Sequence, residues 1–148
     1  MAANPGRMRT LACRTILIAV AASPLSFAWA AVPCTKSDEQ AVEDRVGRLT
    51  SWHGVYDAYK RFAHCDDGSI GQGFSESITL LLASRWNRVE QLRRLIAKDQ
   101  GFEAFVLTHV DPTVPVERRN NIVANANEHC PKRFAALCQK LARRAADR

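Results

Sequence analysis

Four cysteines behind an export leader bound what this chain can become. Arg7, Arg9 and Arg14 form a positive start, and Thr15 to Ala22 is an apolar stretch too short to span a bilayer. Pro24 breaks any helix there, and Ala28-Trp29-Ala30 places small residues where a signal peptidase reads. This is the layout of a secretory signal peptide cleaved after Ala30. The expected division is therefore a leader over 1–30 and one domain over 31–148, exported to the periplasm. A membrane helix needs roughly 20 consecutive apolar residues, and no later stretch of the sequence supplies them, so no membrane span is expected.

The leader takes Cys13 with it and leaves Cys34, Cys65, Cys130 and Cys138. An even set in an exported chain reads as two disulfides. Three pairings are open. Cys65 with Cys130 and Cys34 with Cys138 is the preferred one, because Cys65 and Cys130 each fall where a helix ends. A metal site built from these cysteines and some of the four histidines has no C-x-x-C pair to start from and suits reducing compartments better. No metal and no cofactor is expected.

Helical spacing runs through the rest. Ser37 with Gln40 reads as a capping box. Val42, Val46 and Leu49 lead on to Trp52, Val55, Tyr56, Tyr59, Phe62 and Ala63, a run that ends at His64-Cys65-Asp66-Asp67-Gly68-Ser69. Ile70, Phe74, Ile78, Leu81, Leu82 and Trp86 mark a second helix. Asn87 with Glu90 opens a third, carrying Val89, Leu92, Leu95 and Ile96, and Gly101 breaks the pattern before Phe102, Phe105, Val106 and His109. Pro115 suits the first turn of a fifth helix. Phe134, Leu137, Cys138 and Leu141 share a face of the last. No segment alternates as a strand would. The expected fold is all-α: one compact domain of five to six short amphipathic helices stapled by two disulfides.

The charge balance narrows the partners. The whole chain has a formal net charge of +6, but without the three leader arginines 18 basic groups face 15 acidic ones. A net charge of +3 is no footprint for nucleic acid, which calls for a concentrated basic face. The locally basic tail from Lys132 to Arg148 fits a helix end whose dipole favours cations.

The most distinctive segment is Cys65-Asp66-Asp67-Gly68-Ser69-Ile70-Gly71-Gln72-Gly73-Phe74-Ser75-Glu76. Counted as a calcium loop from Asp66 or Asp67, it puts Ser77 or Ile78 where a bidentate glutamate is needed. Read as a phosphate cradle, it lacks the lysine. The order Gly71, Gly73, Ser75 is not a nucleophile elbow, and no strand precedes it. Two readings remain: a tight turn whose aspartates cap the next helix, or a partner-contact loop. His53, His64, His109 and His129 form no metal-binding pair and read as helix-end histidines. The cysteines are better used as disulfides and no serine has convincing catalytic company, so no catalytic set is expected and the chain is not expected to be an enzyme. Tyr56 and Tyr59 on the preceding helix are residue types common in binding hot spots. With Asp66, Asp67, Gly68 and Ser69 they make the candidate partner-binding set.

A cleaved leader, a small helical domain and two disulfides together resemble the periplasmic immunity proteins of type VI secretion systems, in particular the helical inhibitors of peptidoglycan amidase toxins. The helix from Val55 to Cys65 and the turn Cys65-Asp66-Asp67-Gly68 carry the nearest local likeness. The resemblance implies a protein partner, a toxin or cell-wall hydrolase whose active site is plugged, and an inhibitor that often works as a homodimer. Two other classes stay open from the residues: a periplasmic envelope-stress or structural helper, and an exported enzyme using Asp66, Asp67 or Glu76 as acid and base.

Overall fold

The computed structural model describes residues 32–147; the expected signal peptide, with Cys13, lies outside the described residues. Seven α-helices and no strand occur among them: α1 (Lys36–Val46), α2 (Trp52–Phe62), α3 (Gly68–Ser84), α4 (Val89–Lys98), α5 (Gln100–Thr108), α6 (Val116–Glu128) and α7 (Ala135–Ala146). Short 3-10 turns at Ala63–Cys65, Trp86–Arg88 and Lys132–Phe134 join three pairs. The fold class is as expected from the spacing, with more helices than the five or six expected.

The extra helix comes from the first run, which is two elements. α1 stops at Val46, and Ser51 starts α2 by accepting the Gly54 N–H at 3.1 Å. Apolar spacing continues across the break because Leu49 in the connection still packs on the core. A residue far along the chain ends α1. Ser77 donates its hydroxyl to the Val46 carbonyl and accepts the Leu49 N–H at 3.0 Å, so α3 satisfies groups that the end of α1 leaves unpaired.

Two boundary expectations also shift. Thr35, rather than Ser37, caps α1: its hydroxyl accepts the Asp38 N–H at 3.2 Å, and Asp38 reaches back to the Thr35 N–H and hydroxyl. Both spacings fit a capping box, and the one that ends on the Asp38 carboxylate makes the contact. Gly101 does not separate two helices. The break falls at Asp99, which caps α5 by accepting the Gly101 N–H at 3.1 Å.

The disulfides are Cys34–Cys65 and Cys130–Cys138, which overturns the preferred pairing of Cys65 with Cys130 and Cys34 with Cys138. Each closes one helical hairpin. α1 and α2 pack on each other, so the residue before α1 meets the residue after α2, with Cα atoms 4.8 Å apart. α6 and α7 pack against each other, and Cys130 at the end of α6 faces Cys138 on α7, 6.2 Å away. Cysteines at helix ends pair with whatever the hairpin brings back, and here that is the near neighbour.

α1 and α3 run alongside in the same direction. Glu43 meets Ser69, Val46 meets Gly73 and Leu49 meets Ser77. The approach is closest at Gly73, where a side chain would collide with Val46 and sit 3.1 Å from the Gly47 nitrogen. The core between the helices holds Trp52, Phe74, Ile78, Leu82, Leu92, Phe102, Ile122 and Leu141, all almost fully buried. α6 also serves the end of α3: Asn125 donates to the carbonyls of Leu82 and Ala83 at 3.0 and 2.9 Å. The Trp86 indole donates to the His129 carbonyl at 3.0 Å. These contacts fix α3 at both ends, and the distinctive turn leads directly into its first residue.

Candidate functional site

The turn between α2 and α3 is held from three sides. Behind it, Cys65 is buried and bonded to Cys34. Ahead of it, Asp67 caps α3 with a side-chain oxygen on the Gly68 N–H at 2.7 Å, and its carbonyl accepts from Ile70 and Gly71 at 3.2 and 3.1 Å. Gly68 has a φ of +52°, a left-handed conformation that a side chain would strain. Asp67, Gly68 and Ser69 are exposed. Ser69 donates to Glu43 on α1 at 2.9 Å.

Asp66 points the other way. One of its carboxylate oxygens lies 3.2 Å from Nε2 of His109, and the other sits 3.2 Å from where a side chain on Gly71 would be. His109, at the end of α5, is only 4% exposed. Its ring lies between Phe74 and Phe105, with centroids 5.6 and 4.5 Å away. Its Nδ1 is 3.0 Å from the hydroxyl of Ser75 on α3. The Ser75 contact is a hydrogen bond, whereas Nε2 approaches Asp66 without hydrogen-bond geometry and, like the other Asp66 oxygen, is buried with no hydrogen-bond partner among the described residues. Three elements far apart in sequence thus converge on one buried imidazole.

Ser75, His109 and Asp66 have the order of nucleophile, base and orienting carboxylate. Ser75 is inside α3, where backbone N–H groups are used by the helix itself. The neighbouring cation, Arg118, already donates to both oxygens of Glu76 and to the Thr79 hydroxyl. Acyl transfer needs donors aimed at the developing oxyanion, and the groups beside Ser75 are committed elsewhere. What this arrangement does by its own geometry is pin the turn to the core.

Tyr56 and Tyr59 are half-buried and reach the turn only indirectly. Tyr56 packs on Phe102 at 5.0 Å between centroids, and Tyr59 on Phe102 and Phe105 at 5.2 and 4.8 Å. Phe105 then meets His109, which meets Asp66. Burial, and then the nearby Asp99 carboxylate, raises the Tyr59 phenol above its ordinary pKa. The structure thus brings Asp67, Gly68 and Ser69 together at the surface, turns Asp66 inward, and places the tyrosines in the wall behind.

The open side of the turn is a cleft of about 460 Å³ lined by Cys34, Glu39, Glu43, His64, Asp67 and Ser69. Asp38 stands beside it, 3.5 Å from His64. Hydrogen bonds from Thr35, with His64 adding to the effect, hold the Asp38 carboxyl below its ordinary value. Asp38, His64 and Cys65 come close enough to suggest a metal site. The Cys65 sulfur is already bonded to Cys34, however, which leaves two donors.

Sequence reasoning missed His109 and Ser75. The usable signal was position: His109 continues the apolar stripe of Phe102, Phe105 and Val106, so a polar ring had to enter the core and find partners there. Comparisons of the chain with protein-family models, with curated proteins and with solved structures return no match.

Proposed function

We propose that the mature chain is an exported, periplasmic binding protein without catalytic activity of its own, and that it inhibits a toxin or cell-wall hydrolase by occluding its active site. The observation that carries this reading is the preorganised turn. Asp67-Gly68-Ser69 projects from a backbone held by the Cys34–Cys65 disulfide, by the Asp67 cap and by the pairing of Asp66 with His109. Ordering a loop on binding costs affinity, and a turn already fixed in the free protein avoids that cost. The exposed residues are small and polar enough to enter a cleft, with the Glu39 and Glu43 carboxylates beside them meeting cationic groups at its rim.

The test is inhibition by the mature, oxidised protein of the exported wall hydrolase encoded beside its gene. The wild type is expected to inhibit at near-stoichiometric ratio. Ser69→Trp is expected to weaken inhibition at least a hundredfold with little change in melting temperature. A wild type that neither binds nor inhibits the hydrolase would sink the proposal and favour the envelope-stress helper.

A further inference from the structure

A second cavity, of about 230 Å³, lies where the connection after α1 crosses the C-terminal half of α3. Ser69 in the turn and Leu80 beside this cavity are eleven positions apart along α3, about 16 Å at the rise of a helix. Leu49, Leu80 and Leu81 supply its apolar surface, and Arg48 and Arg85 its charge. No carboxylate lines it.

Leu80 is the informative residue. It is 40% exposed on a helix whose neighbours Ile78, Thr79, Leu81 and Leu82 are all buried, and only Val32 and Val116 share its standing as exposed large apolar residues among those described. Single exposed apolar residues are ordinary. This one sits in a concavity with a second leucine beside it. The arginines are placed with it. Arg48 is held by its own helix end, its Nε donating to the Asp44 carbonyl at 3.0 Å and its Nη2 to the same oxygen, which leaves its Nη1 side free. Arg85 has no acidic partner among the described residues. Its position after α3 suits the negative end of that helix, but its guanidinium donors remain available. Arg88, just beyond, leans over to donate to the Thr50 carbonyl at 3.3 Å and steadies the connection.

We propose that this cavity is a docking site for a peptide segment carrying an apolar side chain flanked by carboxylates. The apolar side chain would cover Leu49 and Leu80, one carboxylate would take the forked donors of Arg85, a geometry guanidinium groups match well, and the other the free Nη1 side of Arg48. Charge complementarity selects this occupant. A second copy docked about a two-fold axis would set these arginines against their equivalents, and a basic segment would meet the same repulsion. The site is independent of the occluding turn.

The experiment is a titration of the ¹⁵N-labelled mature protein, followed by amide shifts, with acetyl-Glu-Leu-Leu-Asp-amide and with acetyl-Gln-Leu-Leu-Asn-amide. The acidic peptide is expected to shift Gly47 to Thr50 and Leu80 to Arg85, and the neutral one to bind at least tenfold more weakly. Arg85→Glu and Leu80→Ser, both at exposed positions, are expected to weaken the acidic peptide tenfold or more while the remaining spectrum holds. Asp67→Asn should leave this titration unchanged, which separates its outcome from that of the turn. Equal binding of both peptides, or no shifts at these positions, would overturn the proposal. Shifts at the same amides that grow with protein concentration alone would overturn it in favour of a second copy.

Discussion

The two disulfides staple hairpins that need them to different degrees. Cys130–Cys138 closes a short loop between α6 and α7, helices that already pack on each other and bury Ile122, Ala126, Leu137 and Leu141. Cys34–Cys65 joins positions 31 residues apart at the end where the chain is least apolar. There the neighbours are Thr35, Asp38, His64, Asp66 and Asp67, and order comes from the covalent link, two helix caps and one buried imidazole. A hydrophobic core holds the first region whether or not the sulfurs are joined. In the second, an exposed polar turn has to stand still without burying much, and constraint takes the place of burial.

The sharpest way to break this comparison is to remove each disulfide in turn. Loop-closure entropy assigns about 3.7 kcal/mol to a bridge over 31 residues and about 2.5 kcal/mol to one over 8. Urea unfolding of Cys34→Ser/Cys65→Ser is therefore expected to show the larger loss. Hydrogen exchange should separate the two variants further: the first is expected to lose protection at Asp66 to Gly71, and the second only near the α6–α7 connection. If both variants lost protection at the turn alike, the division between a constrained end and a packed end would be wrong.

His109 tests the same division without touching a covalent bond. His109→Ala leaves a gap between Phe74 and Phe105 and strands the half-buried Asp66 carboxylate, for an expected cost of about 2–3 kcal/mol. His109→Gln keeps a polar group near Ser75 and is expected to recover part of the stability. In the hydrolase assay the alanine variant should weaken inhibition more than its loss of stability accounts for, because the turn is released. A stability loss below about 0.5 kcal/mol, the range of ordinary surface changes, would remove the pinning role.

How much of this was legible follows from which contacts are local. The helices were readable because apolar spacing is a property of each segment, and Val42–Val46, Phe74–Ile78 and Leu137–Leu141 all face inward as that spacing requires. The break at Gly47–Ser51 was hidden because its signal is tertiary: Ser77, some thirty residues on, satisfies the end of α1. The disulfide pairing was hidden for the same reason, since it depends on hairpin geometry that helix ends alone do not specify. At the turn, the acidic pair and the glycine were visible as one cluster. That Asp66 and Asp67 face opposite ways could not be seen, because it is decided by His109, more than forty residues later. Tyr56 and Tyr59 are of a type common in hot spots, and that they lie half-buried against Phe102 and Phe105 was not legible because it depends on α5.

The smallest expected effect lies at the start of α1, where Asp38 links the constrained end to pH. Its carboxylate is stabilised by the Thr35 hydroxyl and N–H, with His64 at 3.5 Å, so its pKa in the folded chain lies below the ordinary 3.8. The unfolded chain then takes up a proton at higher pH than the folded one, so this contribution is full above about pH 4 and is lost as pH falls through the folded value. Asp38→Asn removes it at every pH. The gap in melting temperature between wild type and Asp38→Asn should be present at pH 5 and narrow below about 4. The group is solvent-exposed, so the gap should be small and should shrink further in high salt. A corresponding aspartate at the packed end, Asp147 beside Arg144, is expected to leave no such trace when replaced by asparagine. A gap that stayed constant down to pH 3 would mean that Asp38 acts through helix capping alone, with its charge contributing nothing to the hold on the turn.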